Sequence, residues 1–332
     1  MLSKSKEFLG EHMKIVFLDK KTLGEDINLS GFDRFGEVVM YDFTAPDEMP
    51  ERVRDADILI LNKAQINEQT CGGAEHLQLV CVTATGTNNL DKDFLDRKGI
   101  AWRNVAGYST ESVVQHTFAM FFYLLEHLPY YDRYVKSGAY INDNTFTHFE
   151  RHFHELNGMR WGIIGLGAIG NRVGEIARCF GCKVQYYSTS GKNHITKFSE
   201  VDFDTLLATS DIISIHAPLN KKTKSLMNRE AFRKMKPSSI LINVGRGPIV
   251  VESDLRDALN AGELAAAGLD VLDREPMAAD NPLREVRDPD NLLITPHIAW
   301  ATVEARRRLM KIIEKQVEEF VTQANKHKPE NF

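Results

Sequence analysis

Three polar residues that could do chemistry each follow a short apolar run in the second half of the chain. Arg246 lies between two glycines in Gly-Arg-Gly, Glu275 lies in Asp-Arg-Glu-Pro, and His297 lies in Pro-His-Ile-Ala-Trp, with spacings of 29 and 22 residues. Because ligands bind at the carboxyl ends of parallel strands, these side chains can converge on one site. A guanidinium holds a carboxylate with a fixed fork of donors, and a histidine moves protons. The set therefore suits proton transfer on a small acid.

A glycine-rich turn predicts a dinucleotide site. Gly165, Gly167 and Gly170 form G-x-G-x-x-G between an apolar run and a helical stretch. In that context the first glycine permits a tight turn, the second lets a diphosphate approach the backbone, and the third lets helix and strand pack closely. The diphosphate is expected at the helix N-terminus, where Ala168 and Ile169 follow the second glycine.

The end of the next strand bears on which dinucleotide binds. Counting 18 residues on from Gly170 gives Ser188, followed by Thr189, Ser190 and Lys192. A carboxylate here would bind the ribose of NAD and repel a 2′-phosphate, and this stretch has none. Hydroxyls and a lysine favour NADP(H) slightly, and without an arginine NAD stays open.

The elements that must position these residues come in two sets of short apolar runs with helical stretches between them. The first set covers residues 14–19, 37–42, 57–62, 77–85 and 100–105, and the second covers 159–165, 182–188, 211–217, 239–245, 266–272 and 291–297. Near-continuous β-branched and aliphatic runs indicate parallel strands that are covered on both faces. We therefore predict an α/β protein with two doubly wound parallel-sheet domains, one flavodoxin-like and one a Rossmann domain, with a cleft between them.

Two further helices set the predicted domain boundaries. A long helix is expected from about Glu111 to Val135, after a Ser-Thr pair that suits an N-cap. A last helix, near 301–322, has an apolar stripe that needs the first sheet as its partner; the stripe comprises Ala305, Leu309, Ile312, Ile313, Val317 and Phe320. The expected domains are a discontinuous substrate domain (13–107 plus 299–332) and a dinucleotide-binding domain (108–298). Residues 1–12 form a polar, disordered extension in this interpretation.

Composition excludes several classes of function. A net charge of −5 argues against a nucleic-acid partner. The longest apolar run, 118–125, falls far short of the roughly 20 residues that span a bilayer. Residues 1–12 lack the apolar segment of a signal peptide, so a cytoplasmic location is expected. Cys179 and Cys182, and the histidines at 148, 152 and 154, have metal-like spacing, but we favour structural roles and predict no metal.

Together with His-Ala-Pro-Leu-Asn-Lys-Lys-Thr at 216–223, these motifs resemble the D-isomer-specific 2-hydroxyacid dehydrogenase family over about residues 14–320. The resemblance implies that Arg246 binds the carboxylate and carbonyl of the substrate. It implies that His297 is the acid–base catalyst and that Glu275 supports it.

The same resemblance implies further binding residues. Those expected along the cofactor are Val113, His216, Ala217, Pro218, Thr223, Val244, Gly245, Asp270 and Ala299. Those expected at the substrate, besides Arg246, are Asn62, Lys63, Thr85, Gly86 and Trp300. The family is typically homodimeric through its cofactor domain, so the aromatic helix 118–131 is either an interface or simply core.

The branch of the family follows from local sequence. Asn-Val-Ala-Gly-Tyr-Ser-Thr at 104–110, Ala-Thr-Gly-Thr-Asn-Asn at 84–89 and Trp300 are most similar to glycerate dehydrogenases, or hydroxypyruvate reductases. We expect NAD(P)H-dependent reduction of a small 2-keto acid, of the hydroxypyruvate or glyoxylate type, to the D-2-hydroxy acid, and the reverse. A D-lactate or phenyllactate type of enzyme is the alternative. A dinucleotide-sensing corepressor is an alternative of another class, although a long disordered tail is missing after the last helix.

Overall fold

The chain forms two compact units. The computed structural model describes residues 13–192 and 197–326, with the backbone alone for 324–326, so the extension predicted at 1–12 lies outside the described residues. The first unit runs up to Ser109 and resumes at Ala301, whereas the second runs from Thr110 to Trp300.

The first unit contains a five-stranded parallel sheet with the strand order β2-β1-β3-β4-β5. Its strands are β1 (Met13–Phe17), β2 (Gly36–Met40), β3 (Ile58–Leu61), β4 (Leu79–Val82) and β5 (Ala101–Arg103). Every residue of β3 and β4 is buried, as expected for strands that are covered on both faces. The five apolar runs of the first set therefore form the flavodoxin-like sheet that the sequence predicts.

The described residues of the first unit form four α-helices. They are α1 (Met49–Val53), α2 (Glu68–Cys71), α3 (Lys92–Lys98) and α10 (Val303–Lys326). Along α10 the residues Ala305, Leu309, Ile313 and Val317 are buried at helical spacing. This helix contacts the 3₁₀ segment Ser30–Phe35 of the same unit, whereas its apolar stripe was predicted to pack on the first sheet.

The second unit contains a seven-stranded parallel sheet with the order β12-β11-β10-β9-β6-β7-β8. Its strands are β6 (Arg160–Ile164), β7 (Lys183–Tyr187), β8 (Ser199–Glu200), β9 (Ile212–Ile215), β10 (Ile240–Asn243), β11 (Ala266–Leu269) and β12 (Leu292–Ile294). The strand order reverses beside β6, as in a Rossmann fold, which confirms the predicted fold class. Sequence analysis missed β8, because its two residues are both exposed and carry no apolar signal.

The helices of the second unit correct one prediction. They are α4 (Thr110–Leu125), α5 (Leu128–Lys136), α6 (Ala168–Cys179), α7 (Phe203–Thr209), α8 (Arg229–Lys234) and α9 (Glu252–Ala261). The single helix expected from 111 to 135 is wrong, because α4 ends at Leu125 and α5 begins three residues later. His127 takes a left-handed conformation with φ 49°, and Pro129 in the first turn of α5 has no N–H to continue the helix.

The Cys-Phe-Gly-Cys spacing has a structural explanation. α6 ends at Cys179, Gly181 takes a positive φ of 86°, and β7 begins directly after Cys182. All four cysteines are free thiols, and burial raises the pKa of the Cys182 thiol to about 11, so this thiol stays protonated. Across the described ranges, no helix is both long and apolar enough to cross a membrane.

Candidate active site

The predicted glycine turn joins β6 to α6. Gly165 has a φ of 91°, and a Cβ there would lie 2.7 Å from the backbone of Ala217. A Cβ at Gly170 would lie 2.4 Å from the carbonyl oxygen of Gly165, so this glycine allows the close approach of helix and strand. At Gly167 a Cβ would meet nothing within 4 Å. The turn is therefore closely packed against the protein at Gly165 and Gly170, whereas Gly167 faces open space. A diphosphate can approach the backbone there.

A cavity of about 540 Å³ opens beside this turn. Its lining comes from the glycine turn, the end of β7 and the segment after β9: Gly165, Leu166, Gly167, Ser188, Thr189, Ser190, His216, Pro218, Asn220, Lys221 and Lys222. The hydroxyl oxygen of Ser188 and Nδ1 of His216 are buried without a hydrogen-bond partner in the part of the chain that the structure describes. Buried polar atoms of this kind need a partner, so the cavity fits a polar ligand such as the adenosine half of a dinucleotide.

The protonation of His216 follows from its neighbours. Trp161 Nε1 donates to the Ser214 oxygen at 2.9 Å, and the same oxygen lies 2.9 Å from His216 Nε2. The Ser214 hydroxyl is fully buried and has no other acceptor among the described residues, so it directs its own hydrogen to His216 Nε2. Burial lowers the pKa of His216 to about 3, so the ring is neutral and carries its single hydrogen on Nδ1. His216 therefore offers an N–H donor that lacks an acceptor among the described residues.

The segment after His216 is held by its own hydrogen bonds. The Thr223 hydroxyl donates to the Pro218 carbonyl at 2.7 Å and accepts the Asn220 N–H at 2.9 Å. Thr223 is fully buried and, like Ala217, does not line the cavity, although both were predicted at the cofactor. Lys192 is also outside the lining, and its backbone N–H donates to Ser190 Oγ at 3.2 Å.

Arg246 lies in a turn that its neighbours shape. Asn243 is fully buried at the end of β10; its amide nitrogen donates to the Arg246 carbonyl at 3.0 Å, and its amide oxygen accepts the Gly245 N–H at 3.0 Å. A Cβ at Gly247 would lie 1.9 Å from the backbone of Leu272. The second glycine of Gly-Arg-Gly is therefore required because the chain after β11 crosses it closely. Val244 and Gly245, predicted near the nicotinamide, form the start of this turn.

The structure brings His297 and Glu275 together, as expected. His297 Nδ1 lies 2.7 Å from Glu275 Oε2, and Glu275 Oε1 accepts the N–H of Leu272 at 3.0 Å. The carboxylate therefore fixes the ring through Nδ1 and leaves Nε2 for proton transfer. His297 also has a φ of 55°, a strained backbone conformation for this residue type.

Asp270 holds the turn that carries His297. Its Oδ1 accepts the Thr295 hydroxyl at 2.6 Å and the Ile298 N–H at 2.8 Å, and its Oδ2 accepts the Ala299 N–H at 2.9 Å. Its carbonyl accepts the His297 N–H at 2.8 Å. Asp270 and Ala299 were predicted along the cofactor, and the structure shows that they bind each other and support the strained backbone of the turn.

Two residues of α4 that sequence reasoning missed hold the same turn from both ends. Ser112 donates to the Ala299 carbonyl at 2.6 Å, and His116 Nε2 lies 3.1 Å from the Thr295 hydroxyl oxygen. Because that hydroxyl donates to Asp270, it must accept from His116, whose hydrogen is therefore on Nε2. The available signal was the spacing, since residues four apart share one helix face. Val113, which was predicted at the cofactor, lies beside them and is buried.

The predicted substrate residues of the first unit lie at the carboxyl ends of its strands. Asn62 and Lys63 follow β3, and the carboxylate of Asp19, which follows β1, accepts their N–H groups at 2.7–2.9 Å. Burial raises the pKa of Asp19, and the backbone N–H groups of the segment offset this in part. Thr85, which precedes Gly86, donates to the Val105 carbonyl at 2.9 Å. Sequence reasoning missed Asp19, which fixes the backbone of the loop.

Comparisons with known proteins bear on what this site does. Residues 118–299 match the family described as "D-isomer specific 2-hydroxyacid dehydrogenase, NAD binding domain". A hydroxypyruvate reductase of Blautia hydrogenotrophica is 38% identical, over 93% of this chain and 97% of its own length. The chain belongs to the D-isomer-specific 2-hydroxyacid dehydrogenase family. It is therefore an oxidoreductase that uses a nicotinamide dinucleotide, of the glycerate dehydrogenase and hydroxypyruvate reductase branch.

Solved structures with this fold agree with the family. D-lactate dehydrogenase from Aquifex aeolicus, complexed with NAD and lactic acid, has a TM-score of 0.82 and 28% identity, and the match covers 93% of this chain and 96% of that one. An acyclic imino acid reductase in complex with NADPH and D-Arg also has a TM-score of 0.82, with 27% identity and coverage of 94% and 98%. This dehydrogenase fold is thus known with each of the two nicotinamide dinucleotides.

Proposed function

We propose that the protein reduces a small 2-keto acid, hydroxypyruvate or glyoxylate, to the D-2-hydroxy acid and also catalyses the reverse reaction. The observation that carries the proposal is the 2.7 Å contact between His297 and Glu275, which lies among the same strand ends as the Gly-Arg-Gly turn. The similarity to a hydroxypyruvate reductase over 93% of the chain supports this substrate class.

The proposed chemistry divides between the cofactor and the side chains. When bound, the nicotinamide supplies a hydride to the 2-carbonyl carbon. Arg246 binds the carboxylate and the carbonyl oxygen, where negative charge develops during reduction. His297 delivers a proton from Nε2 to that oxygen, and Glu275 orients the ring and stabilises its charged form. The carbonyl carbon thus gains a hydride, which carries two electrons, and the carbonyl oxygen gains one proton. In the reverse direction the hydride returns to the nicotinamide and His297 takes the proton back.

We assign the remaining predicted residues to binding roles. In the first unit, which we propose to be the substrate domain, Asn62, Lys63, Thr85 and Gly86 bind the substrate. Trp300 limits the size of its side chain. The second unit binds the cofactor, with Ala168, Ile169 and Val113 beside the glycine turn and its helix. Ser188, Thr189 and Ser190 favour NADP(H), because this strand end carries hydroxyls where a carboxylate would repel a 2′-phosphate.

We also propose a homodimer that forms through the second unit. The aromatic residues predicted as a possible interface, Phe118 and Phe121, pack in the core with Trp161, so the alternative interpretation holds for them. Large exposed apolar side chains lie further along the sequence: Ile141, Phe146 and Phe149 are 84%, 88% and 75% exposed. A patch of this kind suits contact with a second copy of the chain. Analytical ultracentrifugation of Phe146→Ser with Phe149→Ser tests this, since dimers that persist in the double variant would refute it.

The reaction is tested with purified protein, NADPH or NADH, and four 2-keto acids: hydroxypyruvate, glyoxylate, pyruvate and phenylpyruvate. Fast turnover of hydroxypyruvate or glyoxylate, with the D-isomer as the chiral product of hydroxypyruvate, is expected. Fastest turnover of phenylpyruvate or pyruvate would keep the mechanism and change the substrate to the lactate or phenyllactate type. If none is reduced while the dinucleotide still binds, the protein is not a reductase of these acids and a sensor function gains support.

A further inference from the structure

We propose that Lys221 and Lys222, together with the Ser188 hydroxyl, form a subsite that selects the 2′-phosphate of NADP(H). The inference rests on the proposed preference for NADP(H) and names the residues that choose between the two dinucleotides. Neither lysine is among the cofactor residues that the motifs predicted.

The charge of the cavity points to a phosphate. Among the described residues, its lining includes two lysines, Lys221 and Lys222, and no carboxylate. Throughout 13–192 and 197–326, neither ammonium group has an ion pair or a side-chain hydrogen bond. Two other lysines of this unit do have acidic partners: Lys234 binds Asp204 at 2.7 Å and Lys236 binds Asp211 at 2.8 Å. Two adjacent cations without a counter-charge, at the wall of a cavity, suit an anionic ligand.

The backbone that carries the two lysines is fixed. The Lys222 N–H donates to Asn220 Oδ1 at 2.8 Å, and the Thr223 and Lys224 N–H groups both donate to the Asn220 carbonyl, at 3.1 and 2.9 Å. The buried Thr223 hydroxyl closes the same turn on Pro218. Only the lysine side chains need to order when a ligand binds, so the entropic cost of binding stays small.

The side of the cavity formed by Ser188 can also bind a 2′-phosphate. Ser188 follows β7, where a dehydrogenase specific for NAD would place a carboxylate, and its buried hydroxyl has no partner among the described residues. His216 adds a neutral N–H donor on Nδ1, which suits a ribose or phosphate oxygen equally. Of the lining residues that the structure describes, the two lysines alone carry charge, so we assign selectivity for the 2′-phosphate to them.

The test measures binding of adenine nucleotides to the full-length protein by isothermal titration calorimetry, without substrate. The probes are 5′-AMP, 5′-ADP and 2′,5′-ADP, which separate a 2′-phosphate from the diphosphate that both cofactors share. We expect 2′,5′-ADP to bind about tenfold to a hundredfold more tightly than 5′-AMP, as charge-assisted hydrogen bonds would provide. Lys221→Gln with Lys222→Gln is expected to abolish most of that difference and to change 5′-ADP affinity less than about twofold.

Lys224→Gln is the matched control, because Lys224 lies on the same turn but does not line the cavity. It is expected to bind all three probes as the wild type does. Equal affinity of the wild type for 2′,5′-ADP and 5′-AMP would overturn the proposed subsite. It would also be overturned if the double variant lost affinity for 5′-ADP and not for 2′,5′-ADP. Reduction of 2-keto acids with NADH would still support the reductase in either case. Tight 2′,5′-ADP binding without any turnover would uphold the subsite and refute the reductase.

Discussion

Two regions of the second unit treat their polar groups in opposite ways. In the turn of residues 295–299, Asp270, Ser112 and His116 hydrogen-bond with backbone or side-chain groups on both sides of His297. In the cavity beside the glycine turn, Ser188 and His216 present buried polar atoms that no described residue satisfies. Lys221 and Lys222 likewise have no acidic partner among the described residues.

The difference shows which polar groups of the site are hydrogen-bonded within the protein and which need a ligand as their partner. The catalytic turn is preorganised, so a proton donor stands in place before substrate arrives and no reorganisation is needed at the moment of reaction. The cavity instead needs a ligand to satisfy its polar atoms. Substitutions in the turn should therefore lower the stability of the ligand-free protein, whereas substitutions of the cavity lysines should affect ligand affinity alone.

Among substitutions outside the His297–Glu275 pair, the largest expected effect is on catalysis, in Arg246→Lys. A single ammonium cannot reproduce the guanidinium fork, and the loss of such a donor costs about 3–4 kcal/mol in the transition state. We expect kcat/KM for hydroxypyruvate to fall about a hundredfold to a thousandfold in steady-state assays. Arg229→Lys, at a surface ion pair with Asp257, is the control. Equal activity of both variants would remove Arg246 from the site.

Asp270→Asn should break the preorganised turn. The amide keeps one acceptor where the carboxylate offers two, and a buried hydrogen bond left unmade costs about 1–3 kcal/mol. We expect the free energy of unfolding of the ligand-free protein to fall by that amount and kcat to fall about tenfold. Chemical denaturation measures the first and turnover the second. A variant that loses activity without losing stability would show that Asp270 does not act by holding the turn.

His216 should make the stability of the folded protein depend on pH. Its pKa is lowered to about 3 in the folded state, whereas an unfolded histidine titrates near 6.5. Below pH 6.5 the unfolded chain therefore binds a proton that the folded protein does not, so stability falls as the pH falls toward 3. Between pH 7.5 and 5, wild type should lose about 1–2 kcal/mol more than His216→Gln in urea denaturation. Parallel curves for the two proteins would contradict the buried, neutral ring.

The smallest expected effect is that of Ser112→Ala. It removes one donor to the Ala299 carbonyl, while Asp270 and His116 still hold the turn, so about 0.5–1.5 kcal/mol of stability should be lost. We expect kcat to fall a few-fold and the KM for the dinucleotide to stay unchanged. Ser137→Ala, at the exposed end of α5, is the control and should match wild type. A raised dinucleotide KM in Ser112→Ala would place this residue at the cofactor instead.

The features that could be predicted from the sequence are those that leave a local pattern in it. The apolar runs predicted eleven of the twelve strands in the described ranges. Strand-end positions predicted that Glu275 and His297 can converge, and the family resemblance implied that Glu275 supports His297, with which it is in contact. Contacts between distant segments left no such pattern. Ser112 and His116 bind residues 187 and 179 positions away, and a helical sequence does not show which polar face meets which turn. The end of α4 before His127 was also missed. Pro129 is the signal for it, because proline lacks the N–H that a continuous helix needs and is common in the first turn of a new one.

The most direct test of the account compares wild type and His297→Ala in two assays on the same samples: oxidation of NADPH and NADH with hydroxypyruvate, and binding of either dinucleotide. General acid–base catalysis by a histidine contributes about 10²–10⁴-fold. We predict that His297→Ala loses turnover by that factor and binds the dinucleotide as wild type does. Turnover at the wild-type rate in His297→Ala would contradict the assignment of His297 as the proton donor, and with it the central claim.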